Sequence, residues 1–254
     1  MYLPQNYQQL RKWMQTDLGK YVLQQEAKEL QNILNNIFAK NIILLGEPGF
    51  SLSNDYFLID RNKYINQFII HPDLNLNDQT TNNILLVARQ DKLPIDSDSV
   101  DVVILMHSLE MISNPHEVLR ESHRVLRAEG KIIITGFNAF SFWSVWKLVA
   151  KIFSKAPWRN KFISIIKLFD WLSLLGFDEL NAVKYCYNLP INNKKFLNKL
   201  IYLETLGNFL PFSIGNIYTI SACKRVIPLT PIFIKKWDKL PLDDDGLVKP
   251  ILKN

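Results

Sequence analysis

DKLPIDSDSVDVVILMHSLEMISNPHEVLRESHRVLRAEGKIIITGF, residues 91–137, carries the pattern that decides the fold. Residues 100–106 form an apolar run broken only by Asp101 near its start, and residues 131–135 form a second. Runs this continuous suit strands covered on both faces, as in a parallel sheet. Between them Asn114-Pro115-His116-Glu117 opens a helix. Asn114 can cap it, Pro115 suits its first position, and Glu117 can return a capping-box bond. Val118, Leu119, Ser122, Val125 and Leu126 then recur at helical spacing. Strand, crossover helix and strand make a βαβ unit. His107, Ser108 and Glu110 follow the first strand, at the end where open α/β sheets bind ligands.

The flanking sequence extends the alternation. Residues 7–38 read as one helix, with Val22, Leu23, Ala27, Leu30, Leu34 and Ile37 on the face that covers the sheet. Further strands are expected at 41–45, 65–70 and 84–88 before the quoted stretch, and at 181–187 and 217–223 after it. The fold class is therefore α/β: a Rossmann-like, seven-stranded, mainly parallel sheet with helices on both faces and one late antiparallel strand. Residues 1–225 are expected to form one domain, with 137–175 as an aromatic-rich helical lid. Residues 226–254 hold Pro228, Pro231, Pro241, Pro250 and the run Asp243-Asp244-Asp245-Gly246, which argue for an extended tail.

Composition narrows the class. The chain has 254 residues, enough to bury a sizeable core. Cys186 and Cys223 form neither a disulfide framework nor a metal-ligand cluster, so no metal site is expected, and the chain suits a reducing compartment. The first residues lack the basic and apolar segments of a signal peptide. No apolar run is long enough for a membrane span. A cytoplasmic protein is expected. The net charge of +6 permits anionic partners without requiring them. No nucleic-acid motif is present, so nucleic acid is not expected as a partner. No G-x-G-x-x-G follows a strand, which argues against a dinucleotide-binding oxidoreductase.

Leu93-Pro94-Ile95, Asp98-x-x-Asp101, His107-Ser108-Leu109-Glu110, Arg124-Val125-Leu126-Arg127 and Glu129-Gly130 occur in order over about 45 residues. In this the chain resembles the class I S-adenosylmethionine-dependent methyltransferases, in particular the methyltransferase-type-11 group. Ala128 stands where the group's "RVLRPGG" signature has proline. A weaker version of the likeness runs over roughly residues 16–223.

The resemblance implies S-adenosylmethionine as cofactor and a set of residues to hold it. Gly46-Glu47-Pro48-Gly49 stands where the family has a glycine-rich loop, and Gly46 and Gly49 can let backbone approach a ligand. Glu47 can stand in for the acid that Leu44 and Leu45 do not supply. The same Pro-Gly pair also suits an ordinary turn. Gly46→Val is expected to block the cofactor with little effect on folding if the loop is exposed. The acid nearest the end of the second strand, Asp73, can accept both ribose hydroxyls, or can simply support a turn. Arg89 stands where the family has an aspartate near adenine, and cannot accept a bond from an amino group. Adenine recognition then falls to groups around Gln90, Asp91, Lys92 and Leu93.

His107 is placed to touch the methionine part of the cofactor, and a neutral imidazole there could take a proton from a nucleophile. It could equally pack at the strand end without chemistry. Residues 137–171 hold ten of the chain's thirty aromatics, six basic residues and the single acid Asp170. Phe137, Trp143 and Trp146 are the expected acceptor-binding residues. Lys147, Lys151 and Lys155 share one helical stripe. Core packing, an apolar pocket and docking on an anionic membrane surface all fit this segment. The expected function is methyl transfer to a small, apolar or lipid-like acceptor, with peripheral contact to anionic membrane. The alternative is a non-catalytic binding module that keeps the fold with a degenerate cofactor site.

Overall fold

A computed structural model describes residues 5–46, 66–71, 84–150, 161–190 and 215–225. Glu47, Gly49, Asp73, residues 151–160 of the lid and the tail at 226–254 lie outside the described residues. The elements in chain order are α1 (Gln5–Met14), α2 (Asp17–Asn35), β1 (Asn41–Gly46), β2 (Asn66–His71), β3 (Ile84–Val87) and β4 (Val100–Met106). Then come α3 (Ser108–Met111), α4 (Pro115–Val125), β5 (Leu126–Phe137), α5 (Phe142–Ala150), α6 (Ile165–Leu174), β6 (Phe177–Tyr185) and β7 (Ile217–Lys224).

The seven strands form one sheet in the order β3-β2-β1-β4-β5-β7-β6. Neighbours from β3 to β5 are parallel, and β7 runs antiparallel to both β5 and β6. This is the seven-stranded, mainly parallel sheet that the apolar runs predict, with β7 as the reversed strand. Every residue of β4 is buried, as a strand covered on both faces requires.

Alternate side chains feed two cores. Ile42, Leu44, Val102, Ile104, Met106, Ile133 and Phe137 pack with Leu10, Met14, Val22, Leu30 and Leu34 of α1 and α2. Ile43, Leu45, Val103, Leu105, Ile132 and Ile134 pack with Val118, Leu119 and Val125 of α4 and Leu168 and Leu172 of α6.

Three local expectations change. The helix read over 7–38 is two helices, because the Thr16 hydroxyl accepts from the Gly19 N–H at 3.1 Å and caps α2. Asn114 makes no capping bond: at φ −121° and ψ 85° it lies outside the extended conformation a cap needs. Glu117 faces Arg120 at 2.8 Å rather than the helix start. The strand expected at 131–135 begins at Leu126, which pairs with Val100 across an irregularity in register.

Two buried charges pin the amino end of the sheet. Asp101 accepts the N–H groups of Lys40 and Asn41, both at 2.7 Å, and pairs with Arg127 at 2.6 Å. It thereby locks the start of β1 beside β4. Lys224 donates to Asp98 at 2.7 Å and to the His123 and Leu126 carbonyls at 2.9 and 2.6 Å, closing the end of α4. Among the described residues, no helix is long and apolar enough to cross a membrane.

Candidate functional site

Strand order reverses direction between β1 and β4, since the chain steps from β1 outward to β3 and then returns to β4. The crevice above the carboxyl ends of these two strands is the ligand-binding position of such sheets. Gly46 ends β1 opposite Met106, and His107 follows at once.

Gly46 is buried and has φ +133°, a conformation L side chains rarely adopt. A Cβ there would overlap the Met106 carbonyl oxygen and lie 2.9 Å from its carbon. The condition attached to Gly46→Val, an exposed loop, is therefore not met. The missing side chain lets two strand ends approach each other, so its replacement disturbs the sheet itself.

The loop after β3 turns Arg89 outward, where it pairs with Asp91 at 2.6 and 2.9 Å. That pair holds the Asp91 carboxyl below the usual range. Gln90 points inward and is 3% exposed. Its side-chain oxygen accepts from the Ser108 hydroxyl, and its Nε2 has no partner. Lys92 is exposed, while Leu93 is buried and donates its N–H to Glu121 at 2.8 Å. Arg124 reaches from α4 to the Leu93 and Ile95 carbonyls at 3.2 and 2.9 Å. The Leu93-Pro94-Ile95 run is thus clamped to the crossover helix.

His107 has φ +49°, a left-handed conformation for a non-glycine residue. Such strain is often held at functional positions. Its N–H donates to the Thr135 carbonyl at 2.9 Å. Its Nε2 faces Glu26 Oε1 at 2.7 Å and its Nδ1 faces Glu110 Oε2 at 3.2 Å. Glu110 also accepts the Phe137 N–H. Burial alone would lower the pKa of the ring, but the two carboxylates outweigh it and raise His107 from 6.5 to about 10. Burial pushes the Glu110 carboxyl up, against the pull of His107. Carboxylates facing both nitrogens match the doubly protonated ring, which donates and has no lone pair for a proton. The ring is thus placed as a donor to both carboxylates.

Glu26 was absent from the sequence reading. It sits four residues after Val22 and four before Leu30, inside the apolar stripe of α2, and is fully buried. A charge on that stripe is the signal that could have marked it.

Phe137 is the hub of an aromatic cluster. Its ring lies 4.4 Å from His107, 5.1 Å from Phe162, 5.8 Å from Trp13 and 6.0 Å from Trp143. Lys147 Nζ sits 4.2 Å over Phe162. Trp143 is fully buried, and its indole N–H donates to the Asn188 carbonyl at 2.7 Å. The structure therefore brings Phe137 and Trp143 together with His107. Trp146 stands apart, 40% exposed, on a surface face with Phe140, Phe142 and Val145.

At the strand-order reversal between β1 and β4, the buried amide donor of Gln90 has no partner. Residues 67–134 match the family model described as a methyltransferase domain, type 11. The uncharacterized protein YafS of Escherichia coli (strain K12) is 39% identical over 138 residues, 54% of this chain and 54% of that protein. The ubiquinone biosynthesis O-methyltransferase of Glaesserella parasuis is 27% identical over 122 residues, 44% of this chain and 51% of that one. The chain spans about half the length of the curated relatives it matches. Among solved structures, an S-adenosylmethionine-dependent methyltransferase of Thermotoga maritima, described as a possible histamine N-methyltransferase, superposes with a TM-score of 0.58 at 18% identity. That match covers 78% of this chain and 88% of the other. One from Archaeoglobus fulgidus gives 0.54 at 14% identity, covering 80% and 94%. Residues 67–134 are thus similar to the type-11 methyltransferase domain, and the fold is one that S-adenosylmethionine-dependent methyltransferases also adopt.

Proposed function

We propose that the protein transfers a methyl group from S-adenosylmethionine to a small acceptor held near the aromatic cluster around Phe137. The observation that carries this reading is the strand-order reversal between β1 and β4, with the unpaired Gln90 amide buried beside Ser108 at the end of β4. Gln90 donates to an adenine ring nitrogen, with Asp91 and Lys92 beside it and the Leu93 side chain as apolar support, its backbone groups being engaged by Glu121 and Arg124. This replaces the family's aspartate, whose position Arg89 occupies. Gly46 and His107 flank the methionine part. Glu47 and Gly49 are assigned to the same part, and Asp73 to the ribose.

When bound, S-adenosylmethionine supplies a methyl group on a sulfonium, which leaves as a neutral thioether as the acceptor's lone pair bonds the methyl carbon. The chain's own contribution is alignment and exclusion of water. His107, fixed by two carboxylates, holds the loop after β4. Phe137 and Trp143 are fully buried beside it and Phe162 is half-buried, and these apolar surroundings favour an apolar or lipid-like acceptor.

Membrane contact is part of the proposal. Phe140, Phe142, Val145 and Trp146 are exposed within seven consecutive residues, and 138–169 carry six basic residues and no acid. Aromatic and basic groups together suit the surface of an anionic bilayer. Calorimetric titration with S-adenosylmethionine and S-adenosylhomocysteine tests the cofactor reading. Saturable binding of both is expected, and absence of both rejects it. Binding without turnover of any acceptor offered would return the chain to the binding-module alternative.

A further inference from the structure

Two buried carboxylates and one buried imidazole meet at the end of β4. The side chains of Glu26, His107 and Glu110 are each no more than 1% exposed. His107 is the sole cation that either carboxylate meets in an ion pair among the described residues. Glu26 also keeps its second oxygen, Oε2, buried with no partner. A pin between α2 and the loop after β4 does not need this arrangement. Glu110 uses both oxygens, one facing His107 and one accepting the Phe137 N–H, and so accounts for the pin. A glutamine at position 26 would offer an oxygen to the ring without adding charge, so the charge of Glu26 and its orphaned oxygen lack a packing explanation. Burying an unbalanced charge is costly unless something offsets it.

The place of the cluster suggests what does. His107 directly follows Met106, which pairs with Gly46 at the strand reversal. We propose that Glu26 and Glu110, held around His107, give this end of the crevice an excess negative charge that favours a sulfonium over a neutral thioether. The protein then selects the methyl-bearing donor and releases the demethylated product. This rests on the cofactor reading above.

At separations below about 10 Å and an effective dielectric near 20, one unit charge shifts affinity by about tenfold or more. The test is calorimetric, on the whole chain, at low ionic strength and neutral pH. The ligands are S-adenosylmethionine, S-adenosylhomocysteine and sinefungin, in which an amine-bearing carbon replaces the sulfonium. Wild type should bind the two cation-bearing ligands about tenfold tighter than S-adenosylhomocysteine. Glu26→Gln should keep the S-adenosylhomocysteine affinity and lose the discrimination. Equal affinities in wild type overturn the proposal without need of any variant. So does discrimination that survives in a folded glutamine variant, or a loss equal for all three ligands. If wild type binds none of the three, the cofactor reading itself fails.

Discussion

Replacing Gly46 with alanine separates two roles that a glycine at a strand end can play. The backbone φ of +133° costs an L residue about 1–3 kcal/mol. The new methyl would also press on the Met106 carbonyl, a backbone group paired into the sheet, which adds about 1–3 kcal/mol of overpacking. The sum is about 4 kcal/mol. Gly176 supplies the control. It has φ +85°, and among the described residues a Cβ there would meet only the Arg225 carbonyl oxygen, at 4.0 Å. Gly176→Ala therefore carries the conformational cost alone, about 1–2 kcal/mol. Urea unfolding followed by tryptophan fluorescence reads the difference. With an m-value of about 3 kcal/mol/M, the Gly46→Ala midpoint should fall by about 1 M, well beyond that of Gly176→Ala. Equal midpoints for the two variants would refute the close approach of β1 and β4 as the reason for glycine. Loss of cofactor binding in Gly46→Ala is then read through stability, since the deformed strand end would remove the crevice whether or not Gly46 touches the ligand.

Asp101→Ala strips the acceptor from two half-buried N–H groups at 2.7 Å and the partner from Arg127, and should cost about 3 kcal/mol in the same assay. A cost below about 1 kcal/mol would mean water replaces the carboxylate there. The raised His107 pKa makes a signed prediction: its stabilisation is complete below pH 6.5 and is lost as pH rises through about 10. The urea midpoint of wild type should therefore fall across that alkaline window more steeply than that of Glu26→Gln; parallel profiles would remove the charged ring. Trp143→Ala empties a fully buried site and should cost about 4 kcal/mol, whereas Trp146→Ala, on the surface, should cost less than about 1 kcal/mol. Thermal denaturation of the two compares them, and similar losses would contradict the burial described.

What was legible in the chain follows from how local each cause is. The bounds of β4 coincide with its apolar run because burial on both faces writes itself into every residue. Val118, Leu119, Ser122 and Val125 are buried as their spacing implies, since a helix face is a local pattern. The division of the first helix turns on one hydroxyl, Thr16, whose capping geometry periodicity does not register. Glu26 was hidden because its partner His107 lies 81 positions away, so that it reads as a charge interrupting a stripe. Lys224 is hidden likewise, with Asp98 at a separation of 126. The aromatic segment announced its composition but not its assignment: Trp143 and Trp146 differ by three positions, yet one is enclosed and the other faces outward.

The placement of β7 between β5 and β6 also constrains how the chain can assemble. During synthesis β5 emerges with its partner β4 already made, but its other edge stays open until Lys224 has left the ribosome. At roughly 5–20 residues per second, the intervening stretch of about 90 residues takes on the order of 5–20 s. Through that interval the nascent domain exposes an unpaired edge bearing Ile132, Ile133 and Ile134, and β6 waits beside it with no strand to join. Open apolar edges of this kind template pairing between chains. Among the described residues the last sheet strand to be made is thus the one that seals the sheet, and any stall or cleavage ahead of Ile217 would release a species prone to aggregate rather than a shortened domain.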